Sequence, residues 1–267
     1  MTTGQGAWDG GLYAAHSSHH RGTDLTVLAD LDLRPDARVL DLGCGHGDLT
    51  ASIAALVPDG HVIGIDASPQ MVATAADRHA ASQTTNLSFA CVPAQELERV
   101  ASPASLDAVV SVACLHWVPS EDHPTVLRQI AAALRPGGVL RADFGGYGQI
   151  AAPRVILDEE SAAVGGPTDP WYFARPEDYV PMVEAAGLSL DGGWVRLLHQ
   201  RRSFPDAAAV LGMLRSQTYM AYDGAMSPQN RATFHARVDE RAPRDLLRHD
   251  GTYDLDFVRM DLLARRL

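Results

Sequence analysis

The run from Val39 to Gly47, Val-Leu-Asp-Leu-Gly-Cys-Gly-His-Gly, constrains this chain more than any other segment. A short apolar stretch leads into glycines at positions 43, 45 and 47, and an alanine-rich apolar stretch follows from Asp48 to Val57. The order predicts a buried strand, a sharp turn and a helix. Glycine lets the turn use left-handed backbone and leaves no Cβ to keep a ligand from the backbone N–H groups. The helix N-terminus behind the turn favours negative charge such as a carboxylate, because its first N–H groups lack intrahelical partners.

A second strand pattern, His61 to Ile65, ends at Asp66. A carboxylate in that place can accept both hydroxyl hydrogens of a ribose. A dinucleotide enzyme shares this plan, so spacing has to decide. The dinucleotide fingerprint is GxGxxG or GxGxxA; counted from Gly43, the third place holds Asp48. An acid facing a pyrophosphate is repulsive, so a nucleoside ligand without phosphates fits better than NAD(P). A ligand-free strand–helix turn is the bland alternative; the ordered occurrence of Asp41, the glycines and Asp66 speaks against it.

The strand–helix alternation continues. Ser68-Pro69 starts a helix with proline at its first position. Leu87–Val92 and Leu106–Ala113 read as strands, the latter nearly continuous in apolar residues, as in a strand covered on both faces. A helix over Val126–Leu134 is closed by Arg135-Pro136-Gly137-Gly138, and Val139–Phe144 is a fifth strand. Such alternation implies right-handed βαβ units and a mostly parallel sheet. Further on, Asp178–Ala186 reads as a helix, Leu188–His199 as a strand, Asp206–Met220 and Pro228–Asp239 as helices, and Tyr253–Ala264 as a last strand. A short helix, Asp24–Leu33, precedes the first strand. The chain is expected to form one α/β domain over residues 1–267, with 1–34 an N-terminal lid segment and 205–242 a helical lid inserted between the last two strands.

Charge narrows the partners. The 22 basic and 33 acidic residues give −11, and Arg201-Arg202 is the densest basic pair, so no face suits nucleic acid. No apolar run reaches the ~18 residues of a membrane span, and Met1–Gly11 lacks the basic-then-apolar order of a signal peptide. The three cysteines, Cys44, Cys91 and Cys114, show no CxxC spacing, which argues against a disulfide framework or a zinc site. A cytoplasmic protein acting on a small molecule, without a metal, is the expectation.

Three motifs carry a resemblance. Asp41-Leu42-Gly43-Cys44-Gly45-His46-Gly47, Ile65-Asp66-Ala67-Ser68-Pro69-Gln70-Met71 and Leu134-Arg135-Pro136-Gly137-Gly138 resemble the first, second-strand and pre-fifth-strand motifs of class I S-adenosylmethionine-dependent methyltransferases, over roughly residues 35–145. The resemblance implies a Rossmann-like seven-stranded sheet of order 3-2-1-4-5-7-6 with strand seven antiparallel. It implies methyl transfer from S-adenosylmethionine to oxygen (hydroxyl or carboxylate) or carbon of a small metabolite, such as one of secondary metabolism. Asp41, Gly43, Cys44 and Gly45 would meet the methionine end, Asp66 the ribose, and Ala67 and Met71 the adenine. Where the family has Gly-Asp-Ala after strand three, this chain has Val92-Pro93-Ala94; the Ala94 backbone and the Gln95 side chain are the candidates for the missing adenine contact. Ala113 would border the cofactor at the end of strand four, and Tyr13 would close over it.

The acceptor would sit past strand four, since ligands of open α/β sheets bind at the carboxyl ends of strands. There Cys114-Leu115-His116-Trp117 is similar to the run in methyltransferases of the trans-aconitate and juvenile hormone acid groups, which act on carboxylates. His116 has two readings: a general base for a hydroxyl or acidic carbon, or a residue that orients the substrate. A carboxylate nucleophile needs no base. Trp117 reads as pocket wall, and His20, Trp171, Tyr172, Phe173, His199, Tyr219 and Tyr222 are further candidates, with Met213, Met220 and Met226 an adaptable apolar wall. His16, His19 and His20 lack an acid or cysteine at ligand spacing and read as a polar lid rather than a metal site. A non-methylating enzyme of the cyclase type, or a cofactor-binding module, could use the same scaffold.

Overall fold

The computed structural model describes residues 26–80 and 85–267. Its sheet has seven strands in the order β3-β2-β1-β4-β5-β7-β6. These are β1 (Arg38–Leu42), β2 (His61–Asp66), β3 (Leu87–Cys91), β4 (Leu106–Val112), β5 (Leu134–Gly145), β6 (Leu188–Phe204) and β7 (Tyr253–Arg266). The first five pair in parallel, and β7 runs antiparallel to both β5 and β6. The expected order and the reversed seventh strand are both found.

Successive strand residues face opposite layers. Leu40 and Leu42 of β1 and Phe144 of β5 pack on one face, with Leu127 and Ile130 of a helix over His123–Ala133 and Tyr179 of one over Pro176–Ala185. Val39 and Val62 pack on the other face, with Ile53 of α1 (Asp48–Leu56). The helix after β2, α2 (Pro69–His79), is capped as expected: Met71 N–H donates to Ser68 Oγ at 3.3 Å. In chain order the helices over His123–Ala133, Ala151–Ala163 and Pro176–Ala185 are α3, α4 and α5.

α4 has no counterpart in the sequence expectation. Its N-cap is Ile150, in left-handed backbone (φ 42°) without a side-chain cap, and its buried face includes Glu160 and Ser161. It therefore lacks the usual start signal, and polar residues interrupt the apolar stripe of Ile156 and Leu157. Its partners explain this: Glu160 accepts from Arg237 Nε at 2.5 Å and Arg241 Nη1 at 2.8 Å.

Those arginines lie on α8 (Pro228–Asp245), which follows α6 (Ala207–Gln217) and α7 (Tyr219–Asp223) in the segment between β6 and β7. The single expected helix over Asp206–Met220 is broken at Thr218 (φ −124°, ψ −39°). With α4 these helices build a second apolar cluster around Leu157, Trp171, Leu214, Tyr222, Phe234 and Val238. No helix among the described residues is long and apolar enough to cross a membrane. Of the expected Asp24–Leu33 helix, 26–29 is helical and 24–25 lies outside the described residues.

Candidate active site

The glycine turn after β1 is bent as its composition predicts: Gly43, Gly45 and Gly47 have φ of +79°, +53° and +83°. A Cβ on Gly43 would stand 2.3 Å from that of Cys114, so the loop lies directly against the end of β4. One expectation is corrected. The loop's N–H groups turn inward: Gly43 and Cys44 donate to Ile65 O at 2.8 and 2.9 Å, Gly45 donates to Asp66 Oδ2 at 3.0 Å, and Gly47 donates to Cys44 O at 2.9 Å. Wrapped on the end of β2, these residues do not form the N–H cradle a phosphate needs.

Asp41 is fully buried and accepts from Thr50 Oγ1 at 2.7 Å, which fastens α1 to the end of β1. Asp66 accepts one backbone N–H on each oxygen, from Ser68 at 2.8 Å and from Gly45, and each oxygen keeps a lone pair for a sugar hydroxyl. Burial pushes the Asp66 carboxyl above its ordinary range, against the pull of those two donors. Ala67 is exposed beside it, while Met71 and Ala94 are buried. Gln95 donates its amide N–H to Asp122 Oδ2 at 2.9 Å, and the acceptor of that amide is Oε1. Burial raises both neighbouring thiols, Cys114 to about 12 and Cys44 further, so neither is a nucleophile near neutral pH. A carboxylate for a ribose, a tight glycine turn and the open space above Gly45 fit S-adenosylmethionine.

A small cavity, open in part to solvent, adjoins this loop at the ends of β4 and β5. Ala113, His116 and Trp117 line it from β4 and the turn beyond, and Gln149 and Ile150 from the turn into α4. Ala113 is left-handed (φ 56°) with its N–H on Asp143 O at 2.8 Å; this strained backbone swings the following residues over the sheet end. Trp171 and Phe173 form an aromatic wall, stacked with centroids 5.6 Å apart, and Trp117 meets Trp171 edge-on at 5.8 Å. Met213, Gln217 and Thr218 close the cavity from α6 and its end, and Phe257 and Arg259 from β7.

The polar groups are specifically arranged. His116 Nδ1 accepts the Gly145 N–H at 3.2 Å, which places the imidazole proton on Nε2. Burial and the nearby Arg259 charge hold the His116 pKa well below its ordinary value, so the ring is neutral. Arg259 is itself buried and donates from Nε to Asp143 Oδ1 at 2.7 Å and from Nη2 to Asp143 O at 2.9 Å. No group of metal-ligating residues occurs among the described residues.

Of the expected acceptor-site residues, the structure brings together His116, Trp117 and Trp171, with Phe173 and Met213. The others sit elsewhere. Tyr172 packs edge-on against His123 at 4.7 Å. Tyr219 and Tyr222 belong to the second apolar cluster, their hydroxyls on Asp239 and Asp158 at 2.8 and 2.9 Å. His199 is exposed on edge strand β6, opposite Val258. Tyr13 and His20 lie outside the described residues. Sequence reading missed Gln149, Gln217, Thr218, Phe257 and Arg259. A signal existed for Arg259: it interrupts an apolar strand, as Asp143 interrupts β5, and opposite charges in two buried strands imply pairing.

A family model described as a methyltransferase domain matches residues 39–138. The chain is 30% identical to the trans-aconitate 2-methyltransferase of Methylobacterium radiotolerans, over 97% of this chain and 98% of that protein. It is 44% identical to the trans-aconitate 2-methyltransferase of Deinococcus radiodurans over 40% of this chain and 37% of that protein. Among solved structures, the YcgJ protein of Bacillus subtilis matches with a TM-score of 0.64 at 16% identity, covering 93% of this chain and 99% of that one. The [4+2]-cyclase SpnF matches with 0.58 at 20% identity, covering 98% and 87%; both likenesses concern the fold alone. Domain match, near-full-length relative and sheet order agree, and the chain belongs to the class I S-adenosylmethionine-dependent methyltransferases.

Proposed function

We propose that this methyltransferase esterifies a carboxylate of a small organic acid. The observation that carries the reading is the bond from Gly145 N–H to His116 Nδ1. A neutral imidazole whose Nδ1 is occupied keeps its proton on Nε2, so the atom left to meet a ligand is a donor, not a base. A hydroxyl or carbon acceptor needs a proton removed; an ionised carboxylate does not. Arg259 and the Gln149 amide nitrogen add donors to the same wall, and the one carboxylate beside them, Asp143, is held by Arg259. Gln149 Oε1 is already occupied by the Val258 N–H at 2.7 Å. A wall of donors suits an acceptor-only group.

Asp66 would hold the cofactor's ribose, the loop at Gly43–Gly45 with Cys44 its methionine end, and Ala67, Met71, Ala94 and Gln95 its adenine. The sulfonium methyl of S-adenosylmethionine is the electrophile, and its transfer to a carboxylate oxygen leaves a methyl ester and S-adenosylhomocysteine. The chain's contribution is to hold the carboxylate in line, desolvated against an aromatic wall. The relatives named trans-aconitate 2-methyltransferase support an acid as acceptor. Because α6 contributes Met213 and Gln217 to the cavity, the segment 205–242 is proposed to serve as its lid.

The test uses S-adenosylmethionine labelled in the methyl group and a panel of acids, phenols and alcohols. A methyl ester releases its label as methanol in alkali. Label that is entirely alkali-stable would overturn the reading.

A further inference from the structure

The cavity also carries information about the rest of the acceptor. Among the described residues, the charged groups around its polar end are Arg259, Asp143 and Arg202. Arg259 and Asp143 are paired and cancel. Arg202 lies just outside, its guanidinium 4.0 Å from the centroid of the Phe257 ring. Burial and repulsion by Arg259 lower its pKa to about 10, which leaves it charged near neutral pH. With that pair cancelled, the remaining charge of the three is that of Arg202, outside the cavity lining. Deeper between β5 and β7, Arg141 and Arg196 bind Asp261, and Arg141 also binds Asp30, a set that sums to zero. Behind Phe173, Arg154 is held by Asp158 and Asp169, so that side adds no positive charge. His116 is neutral, and Arg259 is the one cation among the described residues that line the cavity.

Much of the remaining lining is aromatic, with Gln217 and Thr218 its polar members. Trp171 stacks on Phe173, Trp117 closes their edge, and Phe257 and Met213 complete the sides. Stacked and edge-on rings offer a planar body ring–ring contact, and methionine adapts to its outline.

We infer that the acceptor is a monocarboxylic acid with a planar apolar body, and not a polyacid. The inference rests on the carboxylate reading above. A tricarboxylate would bring two further charges against an aromatic wall where, among the described residues, Arg259 is paired with Asp143 and Arg202 lies outside the lining, and a buried charge without a partner is strongly unfavourable. On this point the chain departs from the acceptor that its relatives' names give.

The test compares trans-cinnamate, trans-aconitate and 4-coumarate as acceptors for the full chain at saturating S-adenosylmethionine. We expect kcat/KM for cinnamate to exceed that for aconitate by about 10-fold or more, and coumarate to be methylated on its carboxylate. Aconitate preferred over cinnamate overturns the inference and leaves the carboxylate reading standing. Coumarate labelled only on its phenol, in alkali-stable form, overturns both. Gln217→Arg supplies a second reading, because it adds a positive charge at the cavity wall. With S-adenosylhomocysteine affinity unchanged, the variant should move the cinnamate-to-aconitate ratio toward aconitate by about 10-fold; an unmoved ratio overturns the charge argument.

Discussion

Gly145, the last residue of β5, donates its backbone N–H to Nδ1 of His116 at 3.2 Å, tying the turn after β4 to the neighbouring strand and fixing the imidazole's tautomer. The outward nitrogen is then a donor. His116→Gln can still present an N–H from about the same place, whereas His116→Phe cannot. The glutamine variant should keep kcat/KM within about 10-fold of the parent and the phenylalanine variant should lose more, with cofactor affinity unchanged in both. A general base would behave differently: both variants would fall by about 10²–10⁴-fold. Steady-state kinetics with calorimetric binding of S-adenosylhomocysteine separates the two.

Asp66 should govern cofactor affinity through its free lone pairs. Asp66→Ala should weaken S-adenosylhomocysteine binding by about 1–3 kcal/mol, since the ribose loses a charged acceptor. The pH dependence has a defined sign. Burial raises the Asp66 pKa, and protonation turns one accepting oxygen into a donor. Affinity should therefore fall as pH falls through this raised value, beginning at higher pH than for an ordinary aspartate near ~3.9. Calorimetry across the acidic range, with Asp66→Ala as the control that lacks the effect, checks it; a parent affinity that does not change with pH would place the ribose elsewhere.

Most of the sheet was legible because its signals are local. Val39–Leu42 and Leu106–Val112 read as buried strands because each is a run apolar but for Asp41 in the first and Asp107 and Ser111 in the second, bounded by turns, and the motifs set their order. The cofactor loop was equally plain, although the inward turn of its N–H groups depends on Ile65 O and Asp66, partners 21 or more residues away. The acceptor site was half legible. His116 and Trp117 follow a strand end that sequence locates, whereas Arg259 and Gln149 enter through β7 and the turn before α4, which only the antiparallel pairing of Gly145 with Arg259 brings to that strand end. Tyr219 and Tyr222 have the composition of pocket walls, but their hydroxyls find acids within the helical layer and their rings fill its core.

The buried pair of Asp143 and Arg259 should be the most sensitive electrostatic element of the sheet. Asp143→Ala leaves a buried guanidinium without its carboxylate, and should cost about 3–5 kcal/mol of folding stability. Replacing both partners, Asp143→Leu with Arg259→Met, removes the uncompensated charge and should recover most of that loss. It should still abolish acceptor turnover, because the cavity loses its cationic wall. Urea unfolding of the parent and the two variants provides the comparison. A single variant as stable as the parent would show that the pair contributes nothing to folding.

The break at Thr218 predicts where a lid would move. α6 ends at Gln217 and α7 begins at Tyr219; between them Thr218 leaves helical geometry, and Gln217 and Thr218 both line the cavity. α8 is held differently: Arg237 and Arg241 grip Glu160 of α4, and Phe234 and Val238 are fully buried. Closure should then be confined to the first part of the 205–242 segment, pivoting about residue 218 while α8 stays fixed. In hydrogen exchange, residues 207–223 should gain protection when S-adenosylhomocysteine and an acid acceptor are added together, and less with the cofactor product alone, since the acceptor cavity is what these residues line. Residues 228–245 should be protected already and change little. Equal gains over both stretches would mean the helical layer closes as one body, and no gain over 207–223 would remove α6 and α7 from the lid.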